Sequence, residues 1–184
     1  SDGQATFLWG AFFGLVAVMV IYNLFLYAAM RNPTYLYYCI YVFTMGFGRA
    51  VERRFTAQFV NLDIDTELVL WTANFALAVC SLALFTRSFL DLPRWMPRLD
   101  RALVVVGFGY AIVAFISMTP VVDKVLPLFT IHGLVLLMIC FAGAAGRLRQ
   151  GSIEARYYLV AMSFLLLSIL TFTVNMLLMK SSAI

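Results

Sequence analysis

The chain has 184 residues, of which 64% are apolar and 12% charged, and its formal net charge is +4. A soluble domain carries about 45–50% apolar and about 25% charged residues, so this chain has too little polar side chain to cover a water-facing surface. That excludes a soluble enzyme, a disordered segment and a free nucleic-acid-binding domain, and leaves an integral membrane protein.

A hydrocarbon layer of about 30 Å takes about 20 helical residues to cross. Polar punctuation at Asn32-Pro33, Pro93, Pro97, Pro120 and Gly151-Ser152 divides the chain into runs at about 7–30, 35–57, 64–89, 102–118, 121–145 and 155–179. The expected fold is therefore all-α, a transmembrane bundle of six helices. In the first run, Gly10 and Gly14 have the spacing that permits close helix approach, either within the bundle or as a homodimer seam. Tyr22-Asn23 follows in its inner half, as a packing position or as a hinge that transmits motion.

The second run stays apolar only from Tyr35 to Phe47 and then meets Gly48, Arg49, Glu52, Arg53 and Arg54. Either the span continues to about Arg54 with charges near its end, or the helix breaks there. Arg49, Glu52 and Arg53 share a helical face at i, i+3 and i+4, with Arg49 about 21 Å along the span from Tyr35. Ionisable groups at such depth need a partner, a watery cavity or a nearby interface. One reading is an Arg49–Glu52 ion pair with the other arginines snorkelling to headgroups. The other is an outward-opening pocket for an anionic ligand, or a coupling surface for an extracytoplasmic domain. Asn74, His132 and Asn175 fall at compatible depths and complete the candidate signal-coupling set, although each also suits an interhelical hydrogen bond.

Between the third and fourth runs, Leu90, Leu92, Trp95, Met96 and Leu99 interleave with Arg94, Arg98 and Arg101, while Pro93 and Pro97 forbid one long helix. A short interfacial element is expected, its apolar side in the headgroup boundary and its bases toward anionic lipid. Tyr37, Tyr38, Trp95, Tyr157 and Tyr158 read as an interfacial belt. Arg31, Arg87, Arg94, Arg98, Arg101, Arg147, Arg149 and Arg156 lie in alternate connections, and the positive-inside rule then places both termini outside the cytoplasm. Cys39, Cys80 and Cys140 read as small buried hydrophobes. A single His and widely spaced cysteines supply no metal-ligand pattern, and no cofactor is expected.

Gly10-Ala-Phe-Phe-Gly14, Ile21-Tyr22-Asn23-Leu24-Phe25-Leu26-Tyr27 and Arg31-Asn32-Pro33-Thr34-Tyr35-Leu36-Tyr37-Tyr38 resemble the start of the membrane region of the bacterial seven-transmembrane receptors with diverse intracellular signalling modules. Arg87–Leu92, Pro97–Arg101 and Gly143–Arg149 with Ala155–Leu159 resemble the inner loops of the same family. The resemblance covers nearly the whole chain. It implies a β-rich extracytoplasmic sensing domain before the first helix, and a histidine kinase, diguanylate cyclase or related module after a seventh. The start at Ser1-Asp2-Gly3-Gln4 and the end shortly after Lys180 fit a piece of such a receptor. Where the family usually ends its second helix with apolar or mildly polar residues, this chain has Gly48–Arg54.

The leading expectation is a non-catalytic sensor and transducer in a bacterial cytoplasmic membrane. Its partners would be the bilayer, its own periplasmic and cytoplasmic domains, and in one reading a second copy, with no nucleic acid. The alternative is a small transporter or channel using Arg49, Glu52 and His132, against which stands the absence of two matching interrupted helices. No pair of catalytic groups at matching depth suggests an intramembrane enzyme.

Overall fold

The computed structural model describes residues 2–52, 64–117 and 122–181. Among these, every element is helical: α1 (Asp2–Met30), α2 (Pro33–Glu52), α3 (Ile64–Phe89), α4 (Leu92–Trp95), α5 (Pro97–Ser117), α6 (Val122–Arg149) and α7 (Ile153–Ser181). An all-helical chain is what lipid demands, since a helix satisfies its backbone groups internally where no water can. Three stretches of the described residues, Thr6–Met30, Val69–Phe89 and His132–Arg149, are long and apolar enough to cross a membrane. α2, α5 and α7 have 20, 21 and 29 residues, lengths that reach about 30 Å or more at 1.5 Å per residue.

Local chemistry sets the turns. α1 stops because Arg31 takes a left-handed conformation (φ 52°), its N–H reaching the Tyr27 carbonyl at 2.7 Å. Asn32 Oδ1 then accepts the Thr34 N–H at 3.0 Å, and Pro33 opens α2, where its missing N–H costs nothing. α6 ends with Gly151 at φ 84°, with the Ser152 N–H on the Arg147 carbonyl and the Gly151 N–H on the Leu148 carbonyl. Ser152 immediately caps α7, its hydroxyl accepting the Ala155 N–H at 3.3 Å. α5 starts at Pro97, five residues before the apolar run, because proline is preorganised for a first helical position and α4 ends at Trp95.

The long helices pack mainly on their chain neighbours, and α3 lies at the centre, touching α2, α4, α5 and α6. α1 leans on α2, where a Cβ at Gly46 would stand 2.8 Å from Val16. The core runs along α3, α5, α6 and the start of α7, through Val79, Leu82, Leu103, Leu136, Cys140 and Tyr158. Phe7, Leu15, Val18, Ile21 and Phe25 of α1 are exposed, as expected for a face toward lipid.

The corner between α3 and α5 departs from expectation. α4 is short, as its prolines require, but its apolar side turns into the bundle: Leu90 and Leu92 are 1% and 0% exposed. α6 makes room for them. A Cβ at Gly143 would meet Leu99 at 3.1 Å and Leu92 at 3.4 Å, and one at Gly146 would meet Met96 at 2.7 Å. The buried methyl groups gain more against this glycine surface than at a headgroup boundary, where they would meet water.

Candidate functional site

At its C-terminal turn, α3 presents three consecutive polar residues to three different helices. Successive helical residues point about 100° apart, so Thr86, Arg87 and Ser88 fan around the axis. Thr86 is fully buried and gives its proton to the Leu82 carbonyl at 2.7 Å, so the Tyr158 hydroxyl of α7, 2.6 Å away, donates to it. Cys140 Sγ of α6 lies 3.6 Å from the same oxygen. Arg87 Nε donates to Asp100 Oδ1 of α5 at 2.7 Å. The Ser88 hydroxyl pairs with that of Thr34 on α2.

Aromatic rings surround this turn. Phe85 sits 5.4 Å from Tyr38 and 6.2 Å from Tyr158 between centroids, and Phe89 lies 6.1 Å from Tyr158. Two carbonyl positions further, Arg147 of α6 donates from Nε to the Leu90 carbonyl at 2.9 Å and from Nη1 to Gln150 at 3.0 Å, with its guanidinium 4.6 Å from the Trp95 ring centre. The end of α3 thus binds α2, α5, α6 and α7 within two turns.

The sequence-derived set is dispersed by comparison. Arg49 is exposed in the last turn of α2. The side chains of Glu52 and Asn175, and Arg53 altogether, lie outside the described residues. Asn74 donates to the Thr44 carbonyl at 2.9 Å and stands where a Cβ at Gly48 would be 2.9 Å from its amide nitrogen. It therefore joins α3 to α2 one residue short of Arg49. His132 packs instead against Gly109 and edge-on to Tyr110, with ring centroids 6.0 Å apart. Trp71 stacks on Phe75 with ring centroids 5.3 Å apart, and Phe75 lies at a tilt against Tyr110 at 5.8 Å; among the described residues no hydrogen bond joins Asn74 and His132.

In α1, Tyr22 is 60% exposed and Asn23 donates to the Met19 carbonyl of its own helix at 2.8 Å. Among the described residues, nothing comes within 4 Å of a Cβ at Gly10 or Gly14. α1 meets α2 at Val16, which faces Gly46, and at Cys39, whose thiol donates to the Val20 carbonyl at 3.4 Å.

The C-terminal turn of α3 was overlooked because the arginines around it read as topology and its tyrosine as belt. Tyr157 is exposed, but Tyr158 is buried. The signal available was Thr86-Arg87-Ser88, three consecutive polar residues closing a helix whose preceding four residues, Leu82–Phe85, are apolar.

The profile of a family described as 7TM diverse intracellular signalling matches residues 5–183. The chain belongs to that family. No curated protein and no solved structure matches it. The 7TM signalling family is a class of membrane proteins linked to signalling, and among the described residues the basic end of this member's bundle carries interhelical polar contacts from α3 to α2, α5, α6 and α7. Thr34–Ser88 and Arg147–Leu90 bring the α1–α2 turn, the α4 corner and the α6–α7 hairpin to that same end. All eight arginines of the alternate connections are therefore clustered there.

Proposed function

We propose that this chain is the membrane-embedded sensor and transducer region of a bacterial receptor in the cytoplasmic membrane. In this reading α1, α2, α3, α5, α6 and α7 are six crossings, with the arginine-rich end in the cytoplasm and the N-terminus outside, as the positive-inside bias favours. A ligand, or an extracytoplasmic domain, acts near Arg49 and the α2–α3 contact at Asn74. α3 carries the displacement to its inner turn, and Tyr158 passes it to α7, which drives a histidine kinase or diguanylate cyclase type module. The chain performs no chemistry of its own. What it needs is a stimulus with different affinity for two bundle arrangements, since equal affinity shifts nothing.

The observation that carries this reading is the convergence at α3: one helix bonds the middle of α2 through Asn74 and bonds α2, α5 and α7 at its C-terminal end through Thr86, Arg87 and Ser88. Transport has less support, because Asn74 is engaged with the α2 backbone and His132 packs edge-on to Tyr110, with no hydrogen bond between the two among the described residues.

Two measurements test it. With the native cysteines replaced, Gln150→Cys should react with an impermeant maleimide only from the cytoplasmic side and Gln4→Cys only from outside; the reverse labelling sinks the topology. In the receptor with its natural flanking sequence, Arg49→Ala and Asn74→Leu should reduce stimulus-dependent output at unchanged insertion. Parent-like dose responses in both would remove the relay.

A further inference from the structure

The basic end carries eight arginines and three acids, Asp91, Asp100 and Glu154. Two of the acids are engaged locally, Asp100 by Arg87 and Glu154 by the Ser152 hydroxyl at 2.7 Å. Arg147 is turned onto Leu90 and Trp95. Arg94, Arg98 and Arg101 are left exposed on the α4–α5 corner, and Arg149 and Arg156 on the neighbouring hairpin, with no carboxylate partner among the described residues. Arg98 and Arg101 are three apart at the start of α5, a spacing at which like charges repel. Such a cluster is stable where counter-charge is supplied from outside the chain.

Its position says from where. The Trp95 indole is 48% exposed, flanked by Arg94 at 5.7 Å and Arg147 at 4.6 Å. An indole with one apolar edge and one wet edge settles at the boundary between acyl chains and headgroups. There the available anion is a lipid phosphate, and the planar guanidinium matches its oxygens two at a time. We propose that the α4–α5 corner is a binding site for an anionic phospholipid: Arg94 and Arg98 hold the phosphate, and Trp95 lies against the glycerol and upper acyl chain. The site is independent of the receptor reading and of which leaflet this end faces.

The test uses the full chain in nanodiscs of phosphatidylcholine with or without phosphatidylglycerol, read by native mass spectrometry of retained lipid and by thermal melting. The parent should retain phosphatidylglycerol in preference to phosphatidylcholine and melt higher in its presence. Arg94→Gln and Arg98→Gln should each lower that retention about fivefold and together abolish the melting shift, with helix content by circular dichroism unchanged in the single variants. Equal retention of the two lipids by the parent, or unaltered retention in both single variants, would overturn the proposal. So would inorganic phosphate in neutral detergent giving the same melting shift, because the site would then take a free anion and not a lipid.

Discussion

The hydroxyl of Tyr158 lies 2.6 Å from that of Thr86, and it is the hydrogen bond that fastens α7 to α3. The tyrosine ring also packs on both Phe85 and Phe89, so bond and packing can be separated. Tyr158→Phe keeps the ring and should destabilise the chain by about 0.6–2 kcal/mol, the range for one interhelical hydrogen bond in a membrane. Tyr158→Ala also leaves a cavity and should cost about 3–5 kcal/mol. Reversible unfolding by dodecyl sulfate in mixed micelles measures both. Equal losses would mean that the ring contributes nothing beyond its hydroxyl.

The Arg87–Asp100 pair should respond asymmetrically. The Asp100 side chain is 10% exposed and that of Arg87 40%. Arg87→Ala strands a buried carboxylate and should cost about 2–3 kcal/mol, below the range for a wholly buried pair because Arg87 already reaches solvent. Asp100→Asn leaves a polar acceptor and an arginine able to turn outward, and should cost about 1 kcal/mol. The same unfolding assay ranks them, and the opposite order would contradict this assignment of which partner is desolvated.

Arg147 makes a forked set of contacts that lysine cannot copy: the Leu90 carbonyl, Gln150 and the face of Trp95. Arg147→Lys should loosen the α4 corner although the charge is kept. Limited trypsin digestion after Arg94 and Arg98 should become several-fold faster, and Trp95 fluorescence should change with it. A cleavage rate equal to that of the parent would show that Leu92 and Met96, seated on Gly143 and Gly146, hold the corner alone.

Helix type and the main breaks were legible in the sequence because they rest on local chemistry: apolar runs, Asn32-Pro33, Pro97 and Gly151-Ser152. The inward packing of α4 was not, since the alternation of Leu and Arg at 90–101 fits a headgroup surface as well as a bundle cap, and only Gly143 and Gly146, some fifty residues on, decide between them. Depth along a helix was also a poor guide to convergence. It placed Asn74 and His132 at compatible depths but carried no information on azimuth, and the structure turns Asn74 onto the α2 backbone and His132 onto the Tyr110 ring. Thr86 and Tyr158 are 72 residues apart, so neither advertised the other.

The start of α7 supplies a pH dependence. The Ser152 hydroxyl donates to Glu154 and holds its carboxyl below the ordinary value, with the backbone N–H of Glu154 and then the nearby Arg147 charge as smaller causes in the same direction. A carboxyl depressed in the folded state stabilises that state above its unfolded value of about 4.3 and loses the contribution as pH falls through the folded value. Amide hydrogen exchange at residues 153–157 should therefore quicken on acidification relative to the rest of α7. Ser152→Ala should exchange faster at neutral pH and show little of that pH response. An unchanged pH response in Ser152→Ala would assign the shift to the Glu154 backbone N–H and Arg147 instead.

Gly48 and Asn74 should be coupled through a reversal of sign. Alanine in place of a mid-helix glycine ordinarily stabilises by about 1 kcal/mol. Here the new methyl group would stand 2.9 Å from the Asn74 amide nitrogen, which is fixed by its bond to the Thr44 carbonyl. Gly48→Ala should therefore push α3 from α2 and destabilise by about 1–2 kcal/mol. In an Asn74→Ala background the obstruction is gone, and the same substitution should become neutral or stabilising. A double-mutant cycle on unfolding free energies measures the difference, expected within the range of about 0.5–3 kcal/mol for residues in contact. A coupling near zero would mean that the α2–α3 contact yields at no cost, and that Asn74 does not hold these two helices in register near Arg49.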